Sequence, residues 1–168
     1  MRPAIESIGQ VPFRAAPASG SIATFPPYGP PIGLDQARII ALGAAAEARR
    51  NGWRMAVAVT EPSGELVLLE KGDDTQYGSS SLAVTKAQAA ARYRRGTKAF
   101  EDYVTQGALN VLSVSAAGVI ALAGGLPIVV AGRIVGGVGV SGELSEQDSQ
   151  VAEAGLDALA ASLRKARG

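Results

Sequence analysis

Few residues in this chain can do chemistry. Of 168, none is histidine and none cysteine, which removes the commonest zinc, copper, iron–sulfur and haem ligands together with thiol and imidazole catalysis. No metal site is predicted, and Lys, Arg, Tyr, Asp and Glu remain for acid–base or nucleophilic work. Lys86 stands out because Leu82, Ala83 and Ala89 surround it at helical spacing. A lysine there is either enclosed for anion recognition or amine chemistry, or it snorkels to water. Arg92, Arg94, Arg95 and Lys98 form a basic cluster. It suits a helix C-terminus, and its guanidinium forks also suit a carboxylate, phosphate or propionate. Glu146 and Asp148 sit where a helix begins, just after Ser141 and Gly142. They can complement the helix dipole or accept a hydrogen bond from a ligand.

Local patterns predict the elements that position these groups. The sequence GGLPIVVAGRIVGGVGVSGELSEQD at 124–148 reads as a hairpin turning at Ala131 and Gly132, then a helix whose first N–H groups can receive an anion. Gly136, Gly137 and Gly139 lie within the second strand, so they mark close approach of another backbone or ring rather than a phosphate loop. Upstream, 34–50 has helical periodicity and stops at Asn51 and Gly52, and 54–60 and 65–71 are Val/Leu-rich runs joined by the turn Glu61-Pro62-Ser63-Gly64. Residues 79–95 form an alanine-rich helix that one of Ser79, Ser80 or Ser81 can cap. Thr97 can cap a short helix from 98 to about 106, while 108–120 carries mixed signals that admit a strand. A last helix runs from Ser145 to about Lys165. Hairpins with helices before, between and after them imply an α/β (α+β) domain with an antiparallel sheet.

Seven of nine prolines precede residue 33, so 1–33 is expected to be a Pro-rich arm and 34–168 the domain. Ile22, Phe25 and Tyr28 could anchor the arm in extended form. A net charge of +1 gives no case for nucleic acid or a membrane surface as partner, and no apolar run reaches the ~20 residues that span a bilayer. Residues 1–33 lack the apolar core of a secretory signal, so the expected location is cytoplasmic.

Four separated motifs, in order, carry a resemblance: YGPPI at 28–32, VAVTEPSGELVLLE at 57–70, DDTQYGSSSLAVTKAQAAARYRRGTKAFED at 73–102, and the 124–148 segment. Together they resemble the GlcG/HbpS family, also found as the C-terminal domain of PduO-type proteins, across about residues 28–163. The resemblance implies a profilin-like domain with a five-stranded antiparallel sheet and flanking helices, assembled into homo-oligomers. It associates the chain with haem binding, redox sensing, corrinoid metabolism and glycolate utilisation. Lys86, Thr97, Gly124, Gly125, Pro127, Ser141, Gly142 and Asp148 match the family pattern. The chain departs from it at Ser81, Gln88, Ala89, Gly96 and Ala123, where Ser81 and Ala123 replace acids common in relatives.

The first functional expectation is a small-molecule-binding module for haem or another planar or anionic ligand. Its ligand-binding candidates are Lys86, Arg92, Thr97, Gly124, Gly125, Ser141 and Gly142. Without histidine, the conceivable axial donors to a haem are Thr97, which the resemblance suggests, and Tyr77, Tyr93 and Met55. The alternative is a cofactor-independent isomerase, lyase or cyclase acting on an oxygenated small acid or polyketide-like substrate. There Lys86 would orient a carboxylate or enolate, Tyr77 would exchange a proton, and Asp148 would complete the catalytic set. A third reading is an oligomeric assembly protein.

Overall fold

The computed structural model describes residues 25–166. The chain order is α1 (Leu34–Asn51), β1 (Ala56–Thr60), β2 (Leu66–Lys71), α2 (Tyr77–Tyr93), α3 (Lys98–Val104), α4 (Ala108–Ala116), β3 (Gly125–Val130), β4 (Arg133–Ser141) and α5 (Ser145–Lys165). The strands make one antiparallel sheet in the order β2-β1-β4-β3.

Alternation along the two central strands decides which helix covers which face. Val57, Val59, Val138 and Val140 join Ile40 and Ala44 of α1 and Val151 and Leu159 of α5 in the main core. Ala56 and Ala58 point the other way and pack on Ala83 and Ala87 of α2. On that face β4 presents glycines. A Cβ on Gly137 would lie 2.2 Å from the Ala87 carbonyl oxygen, and one on Gly139 would lie 2.1 Å from that of Ala83. The glycine string therefore lets α2 press its backbone against the strand, the close approach that the sequence suggests.

Both hairpins form where expected, and α5 keeps its expected span. Four expectations need correction. First, among the described residues the sheet has four strands, not five. Beyond the last β1 pair, Thr60 with Gly137, the arm lies beside β4 and makes a single parallel bridge, Tyr28 with Ile134. Gly29 N–H donates to Ile134 O and Ile32 N–H to Val135 O, each at 2.8 Å. Pro27, Pro30 and Pro31 have no N–H to give, so the contact cannot continue as a strand. Second, α2 begins at Tyr77, and no serine side chain caps it. Third, Thr97 does not cap α3 with its side chain; its hydroxyl accepts the Gly125 N–H instead. Fourth, 108–116 is helical: α4 is held against the end of α3 by Asn110 Nδ2–H donating to Tyr103 O (2.8 Å) and by burial of Val114, so tertiary packing overrides the mixed local signal.

Phe25 and Tyr28 anchor the arm on its own domain, Tyr28 Oη–H donating to Arg92 O at 2.5 Å. Ile22 and the rest of 1–24 lie outside the described residues. Among the described residues no helix is long and apolar enough to cross a membrane.

Candidate ligand-binding site

Lys86 is carried by α2, the helix that the β4 glycines admit to the sheet, and points toward the end of β4. The side chain is buried. Its Nζ donates to Asp148 Oδ2 at 2.6 Å and to Val140 O at 2.9 Å, leaving one N–H unused. Asp148, in the first turns of α5, is equally buried, and its Oδ1 accepts the Glu143 N–H at 3.2 Å. Burial raises the Asp148 carboxyl above the usual aspartate value of 3.8, against the hydrogen bond and charge of Lys86, which lower it. The pair is thus an internally neutral unit that joins α2 to α5.

The double glycine makes room for this unit. At Gly124 φ is +108°, and a Cβ would stand 2.7 Å from Asp148 Cβ and 3.1 Å from Lys86 Nζ. At Gly125 a Cβ would meet Lys86 O at 2.5 Å and Thr97 Cγ2 at 2.6 Å. Thr97 clamps this crossing in both directions: its N–H donates to Gly125 O and its Oγ1 accepts from Gly125 N, each at 2.9 Å.

Above the ion pair opens a pocket of about 290 Å³, walled by Gln76, Ser79 and Leu82 of α2, by Leu122, by the turn from Ser141 into α5, and floored by Lys86 and Asp148. Ser79 and Ser141 are buried residues that line this pocket. Among the described residues the one buried side-chain polar atom without a partner is Thr60 Oγ1, outside this pocket, so the serine hydroxyls are not stranded groups; they add polar wall beside the ion pair. Leu122 and Leu144 are exposed at the rim.

The structure brings Lys86, Asp148, Gly124, Ser141 and Gly142 together in one place, with Gly125 and Thr97 behind it. Two expected members lie elsewhere. Arg92 Nε–H donates to Ser63 O at 2.7 Å, so the guanidinium braces the β1–β2 turn. Tyr77 is 95% exposed and sits near Lys71 rather than in the pocket wall. Two contributors carry little local signal: Ser79 reads only as a possible cap, and Glu101, on α3, has no signature in the sequence. Its Oε2 accepts from Ser145 Oγ at 2.6 Å and from Ala123 N–H at 2.8 Å, which with Lys98 holds the carboxyl below the usual glutamate value of 4.5. It braces the pocket from behind, and only a fold that joins positions 44 apart reveals it.

The donors available for haem do not converge on this site. Thr97 Oγ1 is committed to Gly125 and fully buried, Met55 is in the main core, Tyr93 lies at the far end of α2, and Tyr77 projects outward. Among the described residues no group of three or more acidic side chains is placed to hold a metal ion.

Comparison with known proteins gives a consistent result. Residues 32–157 match the model of the family described as haem degrading protein HbpS-like. Protein GlcG of Escherichia coli strain K12 is 41% identical over 103 residues, 61% of this chain and 75% of GlcG. A double mutant of Streptomyces reticuli HbpS superposes with a TM-score of 0.71 at 28% identity, covering 86% of this chain and 97% of that one. A PduOC:Heme complex superposes with a TM-score of 0.70 at 25% identity, covering 76% and 94%.

Proposed function

The chain belongs to the HbpS-like family, and from that premise we propose that it is a small-molecule-binding module whose ligand occupies the pocket above Lys86 and Asp148. The observation that carries this reading is the buried Lys86–Asp148 ion pair at the floor of a pocket whose wall includes Ser79 and Ser141. Ligand oxygens would receive the hydroxyls and the third Lys86 N–H, with the N-terminal end of α5 favouring an anionic ligand. The apolar part would rest on Leu82, Leu122 and Leu144.

At about 290 Å³ the pocket is at the small end for ligand sites, which suits a short oxygenated acid and is too narrow for a whole tetrapyrrole. The PduOC:Heme neighbour supports a haem reading for the family, but the donor set here does not fit an axially ligated haem. A haem could only lie across the rim. The enzymatic alternative loses its proton-exchange partner, because Tyr77 is outside the pocket. The proposal also makes the protein a cytoplasmic homo-oligomer, in keeping with the resemblance and with the exposed Leu109, Leu112 and Leu144.

Calorimetric titration of the wild type and of a Ser79→Ala, Ser141→Ala double variant with glycolate, pyruvate and haemin tests the reading. Saturable binding of at least one short acid is expected, weakened about tenfold or more in the double variant. Haemin is expected to give no axial-ligation spectrum and no change in Thr97→Ala. Equal affinity of both proteins for every bound probe, or no binding at all, overturns the proposal.

A further inference from the structure

The basic cluster is not absorbed by the pocket just described, and it splits into separate roles. Arg92 braces a turn and Lys98 pairs with Asp102. Arg94 and Arg95 take part in none of the ion pairs formed among the described residues. Instead they stack on rings: Arg94 lies 5.3 Å from the Tyr28 ring centre, and Arg95 lies 4.5 Å from that of Phe25 and 5.8 Å from that of Phe100. Arg94 ends α2 in the left-handed conformation at φ 55°, a strained geometry for a side-chain-bearing residue that turns the chain outward at this corner.

The chain has only eight aromatic residues, yet Phe25, Tyr28, Tyr93, Phe100 and Tyr103 all collect here. Tyr93 and Phe100 meet edge to face at 5.4 Å. Between α3 and α4 they wall a cavity of about 240 Å³ with Tyr103, Val114 and Val119, and Arg95 stands at its mouth. Nε of Arg95 is held by Tyr93 O at 3.3 Å, which fixes the plane of the guanidinium and leaves its two terminal nitrogens to bind something else. Aromatic walls favour a flat ring, and a fixed, unneutralised fork at the mouth favours a carboxylate.

We propose that the α3–α4 cavity, with Arg95 at its mouth, is a second ligand site, selective for a planar aromatic carboxylate. It is independent of the pocket over Lys86. Charge complementarity defines the occupant: the ring enters the apolar cavity, and the carboxylate pairs with Arg95.

Titration of the full-length protein with 2-naphthoate, followed by ligand-observed NMR, tests this, with neutral 2-naphthamide as comparison. The site predicts saturable naphthoate binding and about tenfold or weaker binding of the amide. Arg95→Gln should weaken naphthoate about tenfold and leave the amide unchanged. Ala99→Trp, at an exposed position on the cavity wall, should block both. Ser79→Ala with Ser141→Ala should leave naphthoate binding intact, which separates this site from the other pocket. Absence of naphthoate binding, equal affinity for acid and amide, an unaffected Arg95→Gln protein, or loss only in the serine variant overturns the proposal.

Discussion

Replacing Lys86 by methionine would keep the length and the apolar stem of the side chain but leave the Asp148 carboxylate buried without its cation. Both side chains are almost inaccessible, at 2% and 3% of their full exposure, so solvent cannot take over the lost contact. Breaking a buried pair from one side costs about 3–5 kcal/mol. For a chain of this size each kcal/mol lowers Tm by roughly 2–4 °C, so a drop of roughly 6–20 °C is expected. The cost must also depend on pH. Burial already raises the Asp148 pKa, and Lys86 is the main influence opposing it. Without Lys86 the folded carboxyl rises further, the native state binds the proton more tightly than the unfolded chain, and stability falls as pH rises from about 4 toward 7. Lys86→Met combined with Asp148→Leu removes both charges at similar volume and should recover most of the loss, giving a coupling of about 2 kcal/mol or more. Urea denaturation followed by far-UV circular dichroism measures all four corners of the cycle. A single-variant cost below about 1 kcal/mol, or additive single and double changes, would mean that Lys86 and Asp148 are not energetically coupled.

Other consequences follow from the same geometry. Gly139→Ala places a methyl 2.1 Å from the Ala83 carbonyl oxygen and should cost about 3 kcal/mol, because α2 has to leave the strand; thermal denaturation measures it. Thr97→Val strands the Gly125 N–H and should cost about 1–3 kcal/mol in urea denaturation. Glu101 has a lowered folded pKa, so its stabilisation is present above the ordinary glutamate range and lost on acidification. The stability gap between wild type and Glu101→Gln should therefore shrink as pH falls below about 4.5 in acid titrations of Tm.

Much of the fold was legible because it is local. The apolar spacing of α1, the turn at Glu61-Pro62-Ser63-Gly64 and the hairpin at Ala131 and Gly132 are each set within a few residues. The β4 glycines announced a close neighbour, and α2 is that neighbour. Lys86 was recognisable as enclosed, since its own helix supplies part of the enclosure, but its pairing with Asp148 spans 62 positions and has no local signature. The same limit applies to Arg92, whose partner Ser63 lies on another turn, and to Thr97, whose hydroxyl serves Gly125 rather than α3. The Pro-rich arm reaches β4 through isolated N–H groups and so fell short of the fifth strand expected from the family.

Everything above turns on whether the pocket over Lys86 and Asp148 receives a ligand. The most direct measurement is ¹H–¹⁵N NMR of the labelled protein titrated with glycolate, pyruvate and haemin. A binding probe is expected to shift the amides of Ser79, Gly124 and residues 141–145 together, and at a probe concentration near the wild-type Kd these shifts are expected to fall to a small fraction in the Ser79→Ala, Ser141→Ala protein while its fold is retained. Shifts confined to other surfaces, or the same shifts in the serine variant, would contradict binding in this pocket.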